Sequence, residues 1–97
     1  MPTVVVGSSI ARWLAASPDI NVGEKSITLD GSTVSELLNA LFTEYPTLRG
    51  YVTDEHGALR HHVVAFVNGA AVQDKTTLAD PVPANGELYL FQALSGG

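Results

Sequence analysis

The sequence predicts an α+β domain in which strands gather into one sheet and a single amphipathic helix lies across one of its faces. Three observations carry this expectation. Val34, Leu37, Leu38, Leu41, Phe42 and Tyr45 recur at the i, i+3, i+4, i+7, i+8 and i+11 spacing that places side chains on one stripe of a helix. On both sides of that stripe, short β-rich runs alternate in hydropathy, as half-buried strands do. The pairs Asn68-Gly69 and Asn85-Gly86 then mark turns between such runs.

In chain order, TVVVGSSI reads as a first strand, with Val4 and Val6 on one face and Val5 on the other. Residues 11–23 read as a long, partly irregular connection in which 11–16 can make a short helical turn. KSITL follows as a second strand, with Ile27 and Leu29 pointing one way. The helix comes next. Thr33 as N-cap and Glu36 three residues later match a capping box, and Pro46 forces Tyr45 out of helical geometry. TLRGYVTDEHGALR reads as polar and turn-like, with its tip at residues 54–57. HHVVAFVNGAAV then reads as a strand, a type I′ turn at Asn68-Gly69 and a short return strand, before a last strand ELYLFQAL. The expected order is β, β, α, β, short β, β. Leu88 and Leu90 should lie beneath the helix, with Tyr89 and Phe91 turned to the opposite face. Residues 1–94 are expected to form the domain and 95–97 a flexible tail.

Composition narrows the function. Ninety-seven residues suit one domain. No apolar run approaches the roughly 18 residues a membrane span needs, and the first residues lack the basic and apolar regions of a signal peptide. A soluble, cytoplasmic protein with no membrane partner is therefore expected. With no cysteine, there is no thiol nucleophile, disulfide framework or thiolate zinc site. A net charge of -5 with only five scattered Lys and Arg argues against nucleic acid and favours an electropositive protein partner.

The internal residues offer no convincing active site, and no metal site or bound cofactor is expected. His61 and His62 are adjacent, but on a strand they would face opposite ways and could not share one ion. His56 reads as a solvated turn residue. Asp54, Glu55, Asp74 and Asp80 lack calcium-loop spacing and read as surface charge. Ser8 and Ser9 follow Gly7 without a nucleophile elbow or a nominated base, and read as strand or turn residues.

The tail is different. Two glycines at one prescribed place arise by chance about once in 200 sequences. That rarity is suggestive here because Gly96-Gly97 come immediately after a strand that would hold the chain until just before Ser95. Five residues from Ala93 can project at most about 17 Å, so a rigid body would present a short, thin probe. Phe91 and Leu94 lie just upstream, and Phe66 sits on a strand expected to neighbour the last one. Phe66, Phe91 and Leu94, with Ser95 beside them, are the candidate partner-binding residues, forming an exposed apolar patch.

These residues together resemble the ubiquitin-like sulfur carriers, the MoaD/ThiS family. The matching parts are the capped helix TVSELLNALFTEYPTLR, the segment GALRHHVVAFVNG, the approach LADPVPANGELYLFQAL and the terminal Gly96-Gly97. The resemblance spans nearly the whole chain and implies a β-grasp fold, a mixed sheet of four to five strands with one main helix. Its departure is the connection at residues 13–22, longer than in many relatives, which looks more like the cysteine-biosynthesis sulfur carrier of actinobacteria. The resemblance further implies a non-enzymatic carrier. A ubiquitin-activating-enzyme-like adenylyltransferase would use ATP and Mg²⁺ to adenylate Gly97, with Gly96 providing clearance. A sulfur-donor enzyme would convert the adenylate to a thiocarboxylate, and a downstream synthase would accept the sulfur for cysteine, molybdopterin, thiamine or another metabolite. Two alternatives stand beside this one: a protein modifier joined to lysines through Gly97, and a non-catalytic β-grasp interaction module.

Overall fold

The computed structural model describes residues 1–11 and 23–93; Leu94, Ser95, Gly96 and Gly97, and all but the ends of the 11–23 connection, lie outside the described residues. The elements are β1 (Thr3–Val6), α1 (Ser8–Ala11), β2 (Lys25–Thr28), α2 (Val34–Glu44), a 3₁₀ turn (Pro46–Leu48), α3 (Arg49–Val52), β3 (Val63–Val67), β4 (Ala70–Ala71) and β5 (Glu87–Gln92). The strands form a five-stranded mixed sheet in the order β2-β1-β5-β3-β4. β1 and β5 run parallel at its centre, and the remaining pairs are antiparallel.

Register aligns one apolar layer across the sheet. Val4 pairs with Leu88 and Val6 with Leu90, while Ala65 pairs with Leu90 and Val67 with Leu88. The strand period of two therefore turns Val4, Val6, Val63, Ala65, Leu88 and Leu90 to the same side, where all are buried. On that side they form one cluster with Val34, Leu37, Leu38, Leu41 and Phe42 of α2, as the helical spacing requires. Complete burial of a leucine such as Leu37, Leu41, Leu88 or Leu90 contributes about 1.5–3 kcal/mol, so this single layer dominates the stability of the domain.

α2 begins at Thr33, whose hydroxyl accepts from the Glu36 amide at 3.1 Å. The reciprocal half of the box lands one residue earlier than expected: Glu36 Oε1 accepts from the Ser32 amide at 2.8 Å and from the Ser32 hydroxyl at 3.0 Å. The Ser32 amide and then its hydroxyl hold the Glu36 carboxyl below the usual carboxylate range. Two further amides of the first turn, Val34 and Ser35, donate to the carbonyls of Asp80 and Leu78. The 78–80 stretch thus completes the capping that side chains alone leave open. Thr33→Ala is expected to cost about 1 kcal/mol of unfolding free energy, measured by urea denaturation with the m-value unchanged.

Three local expectations need correction. The strand TVVVGSSI ends at Val6, and Ser8 and Ser9 stand exposed on α1. Gly7 donates to Leu90 O at 2.8 Å, and its own carbonyl accepts from the amides of Ile10 and Ala11, which turns the chain into a helical turn that buries both residues. The polar stretch after Pro46 is likewise not simply turns, because the 3₁₀ turn and α3 place Leu48 and Val52 in the core at helical i, i+4 spacing. His61 and His62 precede β3 rather than lying on it. They occupy a turn closed by the Val63 amide on Arg60 O, and their rings meet edge to face at 6.0 Å, so opposite strand faces do not separate them. Even so, no three His, Cys, Asp or Glu side chains converge as a metal site among the described residues.

Two of the expected turns match their residues. Asn68 and Gly69 adopt φ of 49° and 86°, the left-handed pair of a type I′ turn. The Asn68 amide also donates to Glu87 O, and Asn68 Oδ1 accepts from the Glu87 amide, both at 2.9 Å. This ties the hairpin to the start of β5. The tip at 54–57 is closed by Asp54, which accepts from the amides of His56 and Ala58, with Gly57 at φ 83°. No helix among the described residues is long and apolar enough to cross a membrane.

Candidate functional site

β5 leads to residue 94, so the site is built around its last turns of pleat. On the face away from α2, register sets Tyr89 beside Val5 and Phe66, and Phe91 beside Val64. The rings form a continuous row. Tyr89 stacks on Phe91 with centroids 5.4 Å apart at 25°, and Phe66 meets Phe91 edge-on at 6.2 Å and 65°. Such offset and T-shaped pairs each contribute about 0.5–1.5 kcal/mol beyond area burial. Mutual covering leaves Phe66, Tyr89 and Phe91 half-buried rather than exposed, and it shields Val5 almost completely, although Val5 is not part of the core under α2. Phe66 and Phe91, named from the sequence, are therefore brought together. Their companions Leu94 and Ser95, and the glycines Gly96 and Gly97, lie outside the described residues.

Gly7 supports this row from below. A Cβ added there would stand 3.0 Å from Phe91 Cδ1 and 3.3 Å from Leu90 O. The ring lies flat against the β1–α1 corner only because that corner has no side chain. Gly7→Ala is expected to displace the Phe91 ring and destabilise the fold by about 1 kcal/mol. Near-ultraviolet circular dichroism and a melting curve would register the two effects separately.

The opposite side of β5 carries a second set of contacts at the same end. Gln92 continues the inward series after Leu88 and Leu90, beyond the edge of the core, and its Oε1 accepts from the Tyr51 hydroxyl of α3. The Tyr51 ring meets His62 edge to face at 5.3 Å, and His62 O accepts from the Ala93 amide at 2.7 Å. Ala93 is thus the last described residue and is still bonded to the body of the domain.

An open groove of about 740 Å³ lies beyond α3, lined by Arg49, Asp54, His56 and Arg60 among others. Arg49, Asp54 and Arg60 are already engaged within the fold. Arg60 Nε donates to Gly50 O at 2.8 Å, and the Arg49 guanidinium lies 5.1 Å from the centroid of the Phe42 ring. The His56 amide, ahead of the Ala58 amide, holds the Asp54 carboxyl below its ordinary range. The groove therefore presents bound charges rather than a converging set.

Sequence reasoning missed Gly7, Tyr51 and Gln92. Gln92 did carry a signal, since a polar residue interrupts the inward alternation begun by Leu88 and Leu90.

The ThiS family model matches residues 15–97, a span that runs through both terminal glycines. The chain belongs to the ThiS family. Small archaeal modifier protein 1 of Haloferax volcanii is 35% identical over 72 residues, covering 73% of this chain and 78% of that one. The crystal structure of SAMP1 from Haloferax volcanii superposes with a TM-score of 0.66 at 28% identity, covering 98% of this chain and 99% of that one. A chain of the Amycolatopsis orientalis BexX/CysO complex matches with a TM-score of 0.73 at 24% identity, covering 97% and 99%, a likeness that bears on fold alone. This ThiS-family chain thus has the β-grasp fold and is homologous to small archaeal modifier protein 1. The five-stranded sheet and α2 are that fold's sheet and helix.

Proposed function

We propose that this ThiS-family protein is a sulfur carrier whose Gly97 carboxylate is adenylated by a partner enzyme and then converted to a thiocarboxylate. The observation that carries this reading is the run of the family match through residue 97, four residues beyond a strand end held to the domain at Ala93. An α-carboxyl with a pKa near 3.5 is an anion at neutral pH and resists nucleophiles. Attack of a carboxylate oxygen on the α-phosphorus of ATP forms the C–O–P linkage and releases pyrophosphate. Mg²⁺, held with ATP by the partner, offsets the phosphate charge in that step. Hydrosulfide then attacks the acyl carbon, the C–S bond forms, the C–O bond to phosphate breaks and AMP leaves. Loss of a proton gives the thiocarboxylate.

In this reading the carrier contributes presentation rather than catalysis. Glycine at 96 and 97 leaves the partner's narrow site free of any Cβ. The row of Phe66, Tyr89 and Phe91 supplies apolar docking surface, Leu94 and Ser95 follow it in the sequence as the other candidate docking residues, and the net charge of -5 favours encounter with an electropositive partner. A sulfur-donor enzyme and an acceptor synthase complete the cycle, the sulfur going to cysteine, molybdopterin, thiamine or another sulfur-containing metabolite. The protein recovered from its native cells should include a species in which sulfur replaces one terminal oxygen, read by intact-mass spectrometry with thiol alkylation. Its consistent absence under sulfur-replete growth would reject the carrier reading.

The relative named as a modifier supports a second reading. The same adenylate would be attacked by a lysine amine, forming a C–N bond and again releasing AMP. Conjugates heavier than the free protein that require Gly97 would identify it.

A further inference from the structure

The end of β5 is held more firmly than a sheet requires. The ladder with β3 closes at the Val63–Gln92 pair, where a strand would ordinarily begin to fray. Two additional contacts lie at that point. The Tyr51 hydroxyl, from 41 residues earlier, donates to Gln92 Oε1. The Ala93 amide donates to His62 O, and the His62 ring stands edge-on to Tyr51. Tyr51 itself packs against the core, so the latch is anchored to the body of the domain. None of these groups belongs to the aromatic row on the other face.

From this geometry we infer that Tyr51 is a positioning residue for tail activation: by latching Gln92 to α3, it fixes Ala93 as the point, or pivot, from which residues 94–97 run on to Gly97. The inference rests on the sulfur-carrier reading above. With the pivot at Ala93, the four residues 94–97 reach at most about 14 Å. If the latch opens and the last strand pair frays, the pivot retreats by about two residues and the reach becomes about 20 Å. A longer tether spreads the carboxylate over a larger volume. Effective concentration at the partner's site falls roughly as the −3/2 power of tether length, close to twofold for this change, and loss of a defined heading lowers it further. Docking through Phe66, Tyr89 and Phe91 is untouched, because the latch lies on the helix side of the sheet. The kinetic signature is therefore a lower kcat at constant KM.

The test uses the full-length chain and its adenylyltransferase, followed by ATP–pyrophosphate exchange, for the native protein, Tyr51→Phe, Gln92→Leu and the double variant. Each single variant should lower kcat about two- to fourfold with KM unchanged, and should speed hydrogen exchange at the Ala93 amide. The double variant should be no worse than either single one, since both remove the same bond. An unchanged kcat, a shift in KM alone, or additive losses in the double variant would overturn the inference while leaving the carrier reading intact. Absence of exchange with the native chain would overturn the carrier reading, and the role assigned to Tyr51 with it.

Discussion

Deleting Gly96 and Gly97 is expected to leave a folded protein that accepts neither AMP nor sulfur. The body should be unaffected, because among the described residues the core under α2 and the five-stranded sheet draw on nothing beyond Gln92. The chemistry should be lost completely rather than partially. Truncation to Ser95 brings the carboxylate two residues, or about 7 Å, closer to Ala93, whose amide is bonded to the domain. It also places a Cβ beside the reacting carbon. A misplacement of even 1 Å can lower a rate about a hundredfold, so adenylation should fall below detection. The measurement is ATP–pyrophosphate exchange together with intact mass after incubation with the activating enzyme, ATP and sulfide. Near-native exchange by the truncated chain would show that Gly97 is not the reacting residue.

Substituting Phe91 by serine is expected to weaken docking without altering chemistry. Phe91 lies at the centre of the aromatic row, touching both Phe66 and Tyr89, and central aromatic anchors carry a disproportionate share of interface energy. A loss of about 1.4 kcal/mol raises the KM for activation roughly tenfold with kcat preserved. The fold should survive, because Phe91 is half-buried on the face opposite the main core and leaves Leu88 and Leu90 in place. Unchanged KM in a variant with normal secondary structure would show that the row serves stability alone.

The parts legible in the sequence were those encoded by neighbours along the chain. The stripe from Val34 to Tyr45 specifies α2 because helical spacing puts its apolar residues on one side whatever they pack against. Asn68-Gly69 specifies its turn because few other residues accept two consecutive positive φ angles. Leu88 and Leu90 against Tyr89 and Phe91 announce two faces through strand alternation. By contrast, α1 and α3 have only four residues each, too few to display a period or to be stable alone. Burial of Ile10 and Val52 makes them helical, and burial is a property of the assembled domain. His61 and His62 look like strand in the sequence for a related reason. The apolar run after them suggested continuity, whereas the turn on Arg60 O begins the strand at Val63.

The sequence by itself determined which side β5 and α2 would present to a core, and that the chain carries Gly96-Gly97 beyond a final strand. Local periodicity and turn chemistry suffice for that. Only the tertiary structure decided that β1 and β5 lie parallel at the centre of the sheet, that Gly7 makes room for the Phe91 ring, and that Tyr51 finds Gln92. These pairings join residues distant along the chain. No local pattern encodes them, because each is selected by the simultaneous burial of every segment against the same core.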